Sequence, residues 1–255
     1  MEFTEGVPCW VDAMLPDVEG GKRFYGELFG WTFDDGAGAE YGPYAQAALD
    51  GRPAAALAPK PDGRMPTAWT VYLATADAAA AAVRVRDAGG QMITDPVPVG
   101  PFGTMALGAD PEGAVFGLWQ AGSHEGFGVV REPGAFCWTE VYSRDKSAVD
   151  AFYGSVFGYE TYDDEIAGDD YRVWSPAGTE PGPGTAIGGR AVSDGLPAEM
   201  PAHFLSYFSV ADCDATAAAA QRLGGRVRTD PLDIPYGRVA VLVDNQGAVF
   251  GVLQE

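Results

Sequence analysis

Residues 9–31 read CWVDAMLPDVEGGKRFYGELFGW, and residues 137–159 read CWTEVYSRDKSAVDAFYGSVFGY. Set one above the other at an offset of 128, they align without a gap. Cys9 meets Cys137, Trp10 meets Trp138, Asp17 meets Asp145, and the FYG…FG pairs run from Phe24/Phe152 to Gly30/Gly158. The halves also end alike: DPEGAVFGLWQ from Asp110 answers DNQGAVFGVLQ from Asp244, now at an offset of 134. A repeat this long exceeds any solenoid period and marks a duplicated domain.

Outward from that stretch, residues 9–15 read as a strand ending at Pro16-Asp17. Asp17 is placed to cap a helix running to about Phe29, with Val18, Phe24, Leu28 and Phe29 near one apolar face and Gly30 as its stop. Gly20 and Gly21 weaken the first turn, so a late start is expected. Strand candidates follow near 31–35, 44–49 and 53–58, separated by Gly- and Pro-bearing turns. The order β-α-β-β-β then recurs. Residues 68–75 alternate as a strand, Asp77 caps an alanine-rich helix to about Ala88, Gly89-Gly90 stops it, and strands are expected near 91–94, 103–109 and 114–119. Residues 137–190 repeat the first unit and 203–254 the second, with Asp145 and Asp212 as caps and Gly158 and Gly224-Gly225 as stops. The segment 175–185, SPAGTEPGPGT, reads as a mobile hairpin loop. The expected domains span 5–121 and 135–255, joined by a Gly/Pro/charge-containing linker over 122–134.

The chain has 255 residues, enough for two domains with their own cores. A formal charge of −20 argues against nucleic acid or an anionic membrane as partner. No apolar run approaches the roughly 20 residues needed to span a bilayer, and the N-terminus lacks a signal-peptide layout. Three cysteines without CxxC spacing indicate neither a disulfide framework nor a zinc site. Cytoplasm is the default location, with a monomer or homodimer as the expected state.

The strand–Asp–helix–FYxxxFGW opening and the DPxGxxF closing strand, each present twice or in degenerate form, resemble the vicinal oxygen chelate superfamily. That superfamily includes glyoxalase I, bleomycin-resistance proteins, extradiol dioxygenases and fosfomycin-resistance enzymes. The chain is more narrowly similar to its two-domain actinobacterial hydroxylase-like members. The resemblance implies an α+β fold: four βαβββ modules paired into two tandem glyoxalase/bleomycin-resistance-type domains, each curling a sheet around a cavity, with the helices outside. It covers essentially the whole chain and is specific for fold and weak for function.

The resemblance also implies where a metal would sit. Metal-binding members carry His or Gln on the first strand of each module, at the places of Trp10, Thr70, Trp138 and Leu205. Their Glu lies in the closing strand, at the places of Gly117 and Gly251. None of these six is a strong ligand for a divalent cation. The two histidines, His124 in the linker and His203 at a strand's beginning, would have to be recruited from elsewhere. The expectation is no metal and no cofactor.

Side chains alternate along a strand, so residues sharing parity with those positions share their face. In the first half these are Trp10, Asp12, Met14, Thr70, Tyr72, Val115 and Trp119. In the second they are Trp138, Glu140, Tyr142, Leu205, Tyr207, Ser209, Val249 and Leu253. That mixture suits a flat, partly polar organic ligand. Asp12 and Glu140 are the candidate catalytic groups: a carboxylate on an apolar wall suits acid–base work, while the bland alternative is that each orders the sheet by accepting hydrogen bonds. Tyr72 and Tyr207 either polarise a ligand carbonyl or bond a structural neighbour. Trp10 and Trp138 either stack on a ligand or fill the space of a metal. GPFG at 100–103 and IPYG at 234–237 read first as turns, and second as lids presenting Phe102 and Tyr236. Cys9 and Cys137 have the opposite parity and read as small core hydrophobes. Cys213, in a helix's first turn, has a position that favours thiolate but no basic neighbour in sequence. The cluster Arg222 to Arg228 reads as a solvated helix end.

Three functional readings follow. The first is a metal-independent protein that sequesters a small, flat, largely apolar metabolite or antibiotic. The second is a cofactor-free enzyme of secondary metabolism that moves a proton with Asp12 or Glu140. The third is a metal-dependent lyase or oxygenase with displaced ligands, against which the two histidines argue.

Overall fold

Four strand–aspartate–helix openings organise the chain. In each, an Asp just past a strand accepts hydrogen bonds from N–H groups that the helix start would otherwise leave unsatisfied. Asp17 accepts from Gly20, Asp77 from Ala79 and Ala80, Asp145 from Ala148, and Asp212 from Ala215. The structure is a computed structural model and describes residues 3–34, 44–164, 170–192 and 200–255; the last residue of the strand expected near 31–35 lies outside them. The first module is β1 (Pro8–Leu15), α1 (Val18–Phe29), β2 (Thr32–Asp34), β3 (Ala45–Leu49) and β4 (Arg52–Pro59). The second is β5 (Ala68–Ala74), α2 (Ala78–Asp87), β6 (Gln91–Val99), β7 (Gly103–Ala109) and β8 (Val115–Ala121). The third is β9 (Phe136–Ser143), α3 (Lys146–Phe157), β10 (Glu160–Asp163), β11 (Arg172–Ser175) and β12 (Gly188–Val192). The fourth is β13 (His203–Ser209), α4 (Cys213–Arg222), β14 (Arg226–Ile234), β15 (Gly237–Val243) and β16 (Val249–Gln254).

The late start expected for α1 is corrected, because the helix begins directly after its cap. Gly20 and Gly21 lie there for lack of space. A Cβ on Gly20 would stand 2.6 Å from Asp17 Oδ2, and one on Gly21 2.3 Å from Leu15 Cδ1. Close packing at the cap outweighs the helix-propensity cost of two glycines.

The strands form two eight-stranded sheets, ordered β2-β3-β4-β1-β5-β8-β7-β6 and β10-β11-β12-β9-β13-β16-β15-β14. This is the expected α+β arrangement of four βαβββ modules in two tandem domains. Within each module the first and fourth strands run parallel. Asp12 lies opposite Ala56, Tyr72 opposite Gly117, Glu140 opposite Gly189, and Tyr207 opposite Gly251. The helix crossover makes that parallel pairing possible, and the outer strands return as antiparallel hairpins.

The chain falls into two compact units. One comprises Met1–Cys9, Val71–Gly126 and Thr139–Phe204; the other comprises Trp10–Thr70, Phe127–Trp138 and Leu205–Glu255. In the latter, Phe24, Tyr25 and Phe29 of α1 pack against Phe250, and Phe29 also against Phe208. The Tyr25 hydroxyl accepts from Trp69 Nε1 at 3.0 Å and donates to Asp244 at 2.9 Å. Asp244 also accepts the N–H groups of Gln246 and Ala248, which shapes the DNQG turn. The Gln246 side chain accepts from the Asp17 N–H at 2.7 Å and donates to its carbonyl at 2.8 Å. The other unit repeats the scheme. Tyr153 donates to Asp110 at 3.3 Å, Asp110 accepts from Glu112 and Ala114, and Glu112 accepts from the N–H of Asp145. The FYG and DxxGAxF repeats are thus two sides of one joint.

The segment expected as a linker is bound along its length. Gly122 and His124 donate to the Phe102 carbonyl, Gly128 to that of Pro53, and Gly134 to that of Ser209. Phe127 is buried and stacks on Phe136 at 4.9 Å.

The joint is expected to dominate stability. Tyr25→Phe should lower unfolding free energy by about 2 kcal/mol, the worth of one buried hydrogen bond to a carboxylate. Asp244→Ala should cost more, about 3 kcal/mol, since it also strips two turn N–H groups of their acceptor. Urea denaturation checks both, and an Asp244→Ala protein as stable as the parent would refute the assignment.

Candidate functional site

Two carboxylates lie buried on equivalent strands. Asp12 on β1 is 3% exposed and Glu140 on β9 is 7% exposed. Each accepts a hydrogen bond from a tyrosine standing immediately before an equivalent strand. Tyr44 donates to Asp12 Oδ2 at 3.3 Å, and Tyr171 donates to Glu140 Oε2 at 2.7 Å. Trp10 Nε1 donates to the Tyr44 oxygen at 2.8 Å. An indole N–H can only donate, so the Tyr44 proton is directed to Asp12. Burial, and then the Asp12 charge, raise the Tyr44 hydroxyl well above the usual phenol range. Tyr44 is half-buried and also lines an open cleft with Pro16, Lys22 and Pro59.

Sequence reasoning missed Tyr44 and Tyr171. Their available signal is a tyrosine at the head of YAQAAL and of YRVWS, at an offset of 127 rather than 128.

The other expected residues are placed as follows. Trp10 is buried, with Phe127 packed on it at 5.6 Å. Met14, Trp138 and Tyr142 are half-buried on β1 and β9. Tyr142 stacks on His203 at 5.3 Å with the rings 10° from parallel. Trp119 is buried, donates to the His124 carbonyl at 2.9 Å and meets the His124 ring edge-on. Burial depresses the His124 pKa. Phe102 and Tyr236 occupy the β6–β7 and β14–β15 turns, half-buried and exposed respectively. The structure therefore joins Asp12 to Trp10 and Tyr44, Glu140 to Tyr171, and Tyr142 to His203.

The cysteines are inert by environment. Cys9 and Cys137 are buried, their thiols directed at the carbonyls of Tyr72 and Tyr207 at 3.5 and 3.4 Å. Burial pushes the Cys137 thiol up to about 12 and raises Cys9 as well. The thiolate-favouring position of Cys213 is overridden: burial first, then the Asp214 charge, raise its pKa.

The family's metal-ligand positions do not fit a divalent cation here. Trp10, Thr70, Trp138 and Leu205 stand on the first strands, and the two closing-strand places are glycines with tyrosine rings over them. A Cβ on Gly117 would fall 2.1 Å from the Tyr72 ring, and one on Gly251 2.1 Å from the Tyr207 ring. Each glycine and its neighbouring ring are sterically coupled, because the ring occupies the volume a side chain would need. Among the described residues, no three His, Cys, Asp or Glu side chains are grouped to hold a metal ion.

That coupling predicts a cost for restoring the family's carboxylate. Gly117→Glu should destabilise the protein by about 1–3 kcal/mol through overpacking against Tyr72. Adding Tyr72→Ala should recover part of the loss. A thermal-denaturation double-mutant cycle checks it, and purely additive losses would refute the coupling.

The glyoxalase-like domain family matches residues 10–119 and 138–253. Over 99% of its length the chain is 40% identical to CFP32 of Mycobacterium tuberculosis (strain CDC 1551 / Oshkosh), which bears a glyoxylase-type name, and 96% of that protein is covered. It is 38% identical, again over 99% of its length, to the anthracycline biosynthesis protein DnrV of Streptomyces peucetius, covering 94% of it. Among solved structures, the Mn(II)-bound glyoxalase from Novosphingobium aromaticivorans gives a TM-score of 0.65 at 17% identity, covering 99% of this chain and 83% of that one. The 2,3-dioxygenase LapB from Pseudomonas sp. KL28 gives 0.66 at 13% identity, covering 98% and 93%. At those identities the two structures speak for the fold alone. The chain belongs to the glyoxalase-like domain family, within the vicinal oxygen chelate superfamily.

Proposed function

We propose that this protein binds a small, flat, largely apolar organic molecule without a metal, with Asp12 or Glu140 nearest the ligand's polar end. The observation that carries this reading is that Trp10, Thr70, Trp138, Leu205 and two glycines stand at the family's ligand places, with Tyr72 and Tyr207 lying over Gly117 and Gly251. Aromatic walls supply affinity at roughly 25 cal/mol per Å² of apolar area buried, and one or two polar groups fix orientation. The likeness to a Streptomyces protein named for anthracycline biosynthesis supports an aromatic polycycle of secondary metabolism as the ligand class. On this reading the domains are 5–121 and 135–255 with 122–134 joining them, acting in the cytoplasm as a monomer or homodimer.

A second reading, a cofactor-free enzyme, is favoured by the tyrosine–carboxylate pairs. A buried carboxylate bonded to a phenol is a proton acceptor with a donor already in place. The two readings separate on the fate of the ligand.

The test is titration of the full-length protein with a hydroxyanthraquinone, followed by recovery of the compound. Saturable binding with the compound returned unchanged is expected for sequestration, and conversion of many equivalents of compound per protein for catalysis. Elemental analysis of the same preparation should find no stoichiometric metal. About one equivalent of zinc, iron, manganese or nickel, with binding lost on chelation, would overturn the metal-independent reading.

A further inference from the structure

The two carboxylate sites are duplicated in position but not in surroundings. At Asp12, the bonded tyrosine is itself held by the Trp10 indole, and Trp10 lies against the buried Phe127. Met14 stands two residues further along β1. At Glu140, the side chain is one methylene longer and the Tyr171 bond shorter, 2.7 Å against 3.3 Å. The residue opposite Glu140 on β12 is Gly189, where the first half has Ala56 opposite Asp12. A Cβ on Gly189 would stand 2.8 Å from the Tyr171 oxygen. The bare backbone there lets Tyr171 lie across β12 to reach the carboxylate.

Two residues along β9, on the same face as Glu140, stands Tyr142. Its half-buried ring stacks on the half-buried ring of His203, where Ala68 takes the equivalent place in the first half. His203 Nδ1 lies 3.0 Å from the Pro201 carbonyl. A carbonyl only accepts, so Nδ1 carries the proton and Nε2 the basic lone pair of the neutral ring.

We infer that the ligand is taken up on the C-terminal sheet, by Glu140 and Tyr171 together with the Tyr142–His203 pair. Its class is a planar conjugated molecule bearing an acidic hydroxyl: a phenol, a hydroxyquinone or an enol. The carboxylate accepts the ligand O–H, Tyr171 holds the carboxylate in register, and the stacked pair supplies a flat surface with an imidazole at its edge. Tyr171 is a positioning residue, and the Asp12–Tyr44–Trp10 chain is a structural strut. This rests on the reading that the protein binds a flat organic molecule.

The experiment is a visible-absorbance titration of full-length variants with a dihydroxyanthraquinone, and by fluorescence quenching with unsubstituted anthraquinone. The parent should bind the hydroxylated probe about tenfold more tightly than the unsubstituted one. Glu140→Gln, Tyr171→Phe and Gly189→Ala should each erase that preference, the loss of affinity falling mainly on the hydroxylated probe. Gly189→Ala keeps every polar group, and its Cβ would press on the Tyr171 ring and on the Arg172 carbonyl at 2.9 Å, so it is read beside Tyr171→Phe. Tyr44→Phe should retain the preference. Melting curves confirm that each variant is folded, and if one is not, the remaining two carry the test. Loss of the preference in Tyr44→Phe but not in Tyr171→Phe would assign the site to the other half and overturn the inference. So would a preference untouched by all three variants, with the binding reading left standing. Failure of the parent to bind either probe would remove that reading and the inference with it.

Discussion

The fold depends on a joint between a helix and a turn far away in sequence. Tyr25, wholly buried on α1, donates to Asp244, whose carboxylate also gathers two N–H groups of its own turn. Gln246 of that turn then clamps both the N–H and the carbonyl of the α1 cap residue, Asp17. A helix start, a helix face and the turn into a closing strand are therefore satisfied by one set of groups. Removing any member leaves buried polar partners without compensation, which is costlier than losing an ordinary contact. Tyr153, Asp110 and Glu112 repeat the arrangement with a carboxylate in place of the amide.

With the scaffold held this way, the strand faces are free to differ in chemistry. At Gly117 and Gly251 the closing strand carries no side chain, and the tyrosine opposite settles over the bare backbone. A side chain cannot simply be added there, because it and the ring would compete for one volume. At the two closing-strand places where the resemblance puts a metal-binding carboxylate, this chain has bare backbone under a buried tyrosine ring, as expected when function lies in sites grafted on a common frame.

The buried polar groups follow the same division between shared frame and local variation. Asp12 and Glu140 each have a phenol partner, so both halves carry the pairing, with Asp in one and Glu in the other. Arg190 has no such counterpart. It is 1% exposed and bonds Asp150 at 3.1 Å, while Asp150 also accepts from Arg172. The matching position in the first half, by register, is Leu57. A buried ion pair is weak evidence for added stability, but loss of one partner alone would be expensive.

The sequence by itself determined the module order, the four aspartate caps and the glycine stops. These follow from local chemistry and strand alternation, both readable within a dozen residues. It did not disclose why Gly20 and Gly21 sit in the first turn of α1, since their neighbours Asp17 and Leu15 press on them only once the helix has folded back. Nor did it disclose Phe127 over Trp10, Tyr44 at Asp12, Tyr171 at Glu140, or the charge buried at Arg190. In each case the partner comes from a loop or strand whose reach depends on sheet register and on the space left by another residue, as Gly189 leaves it for Tyr171. Local propensity carries no record of which distant backbone will be bare, so only the tertiary structure decided those contacts.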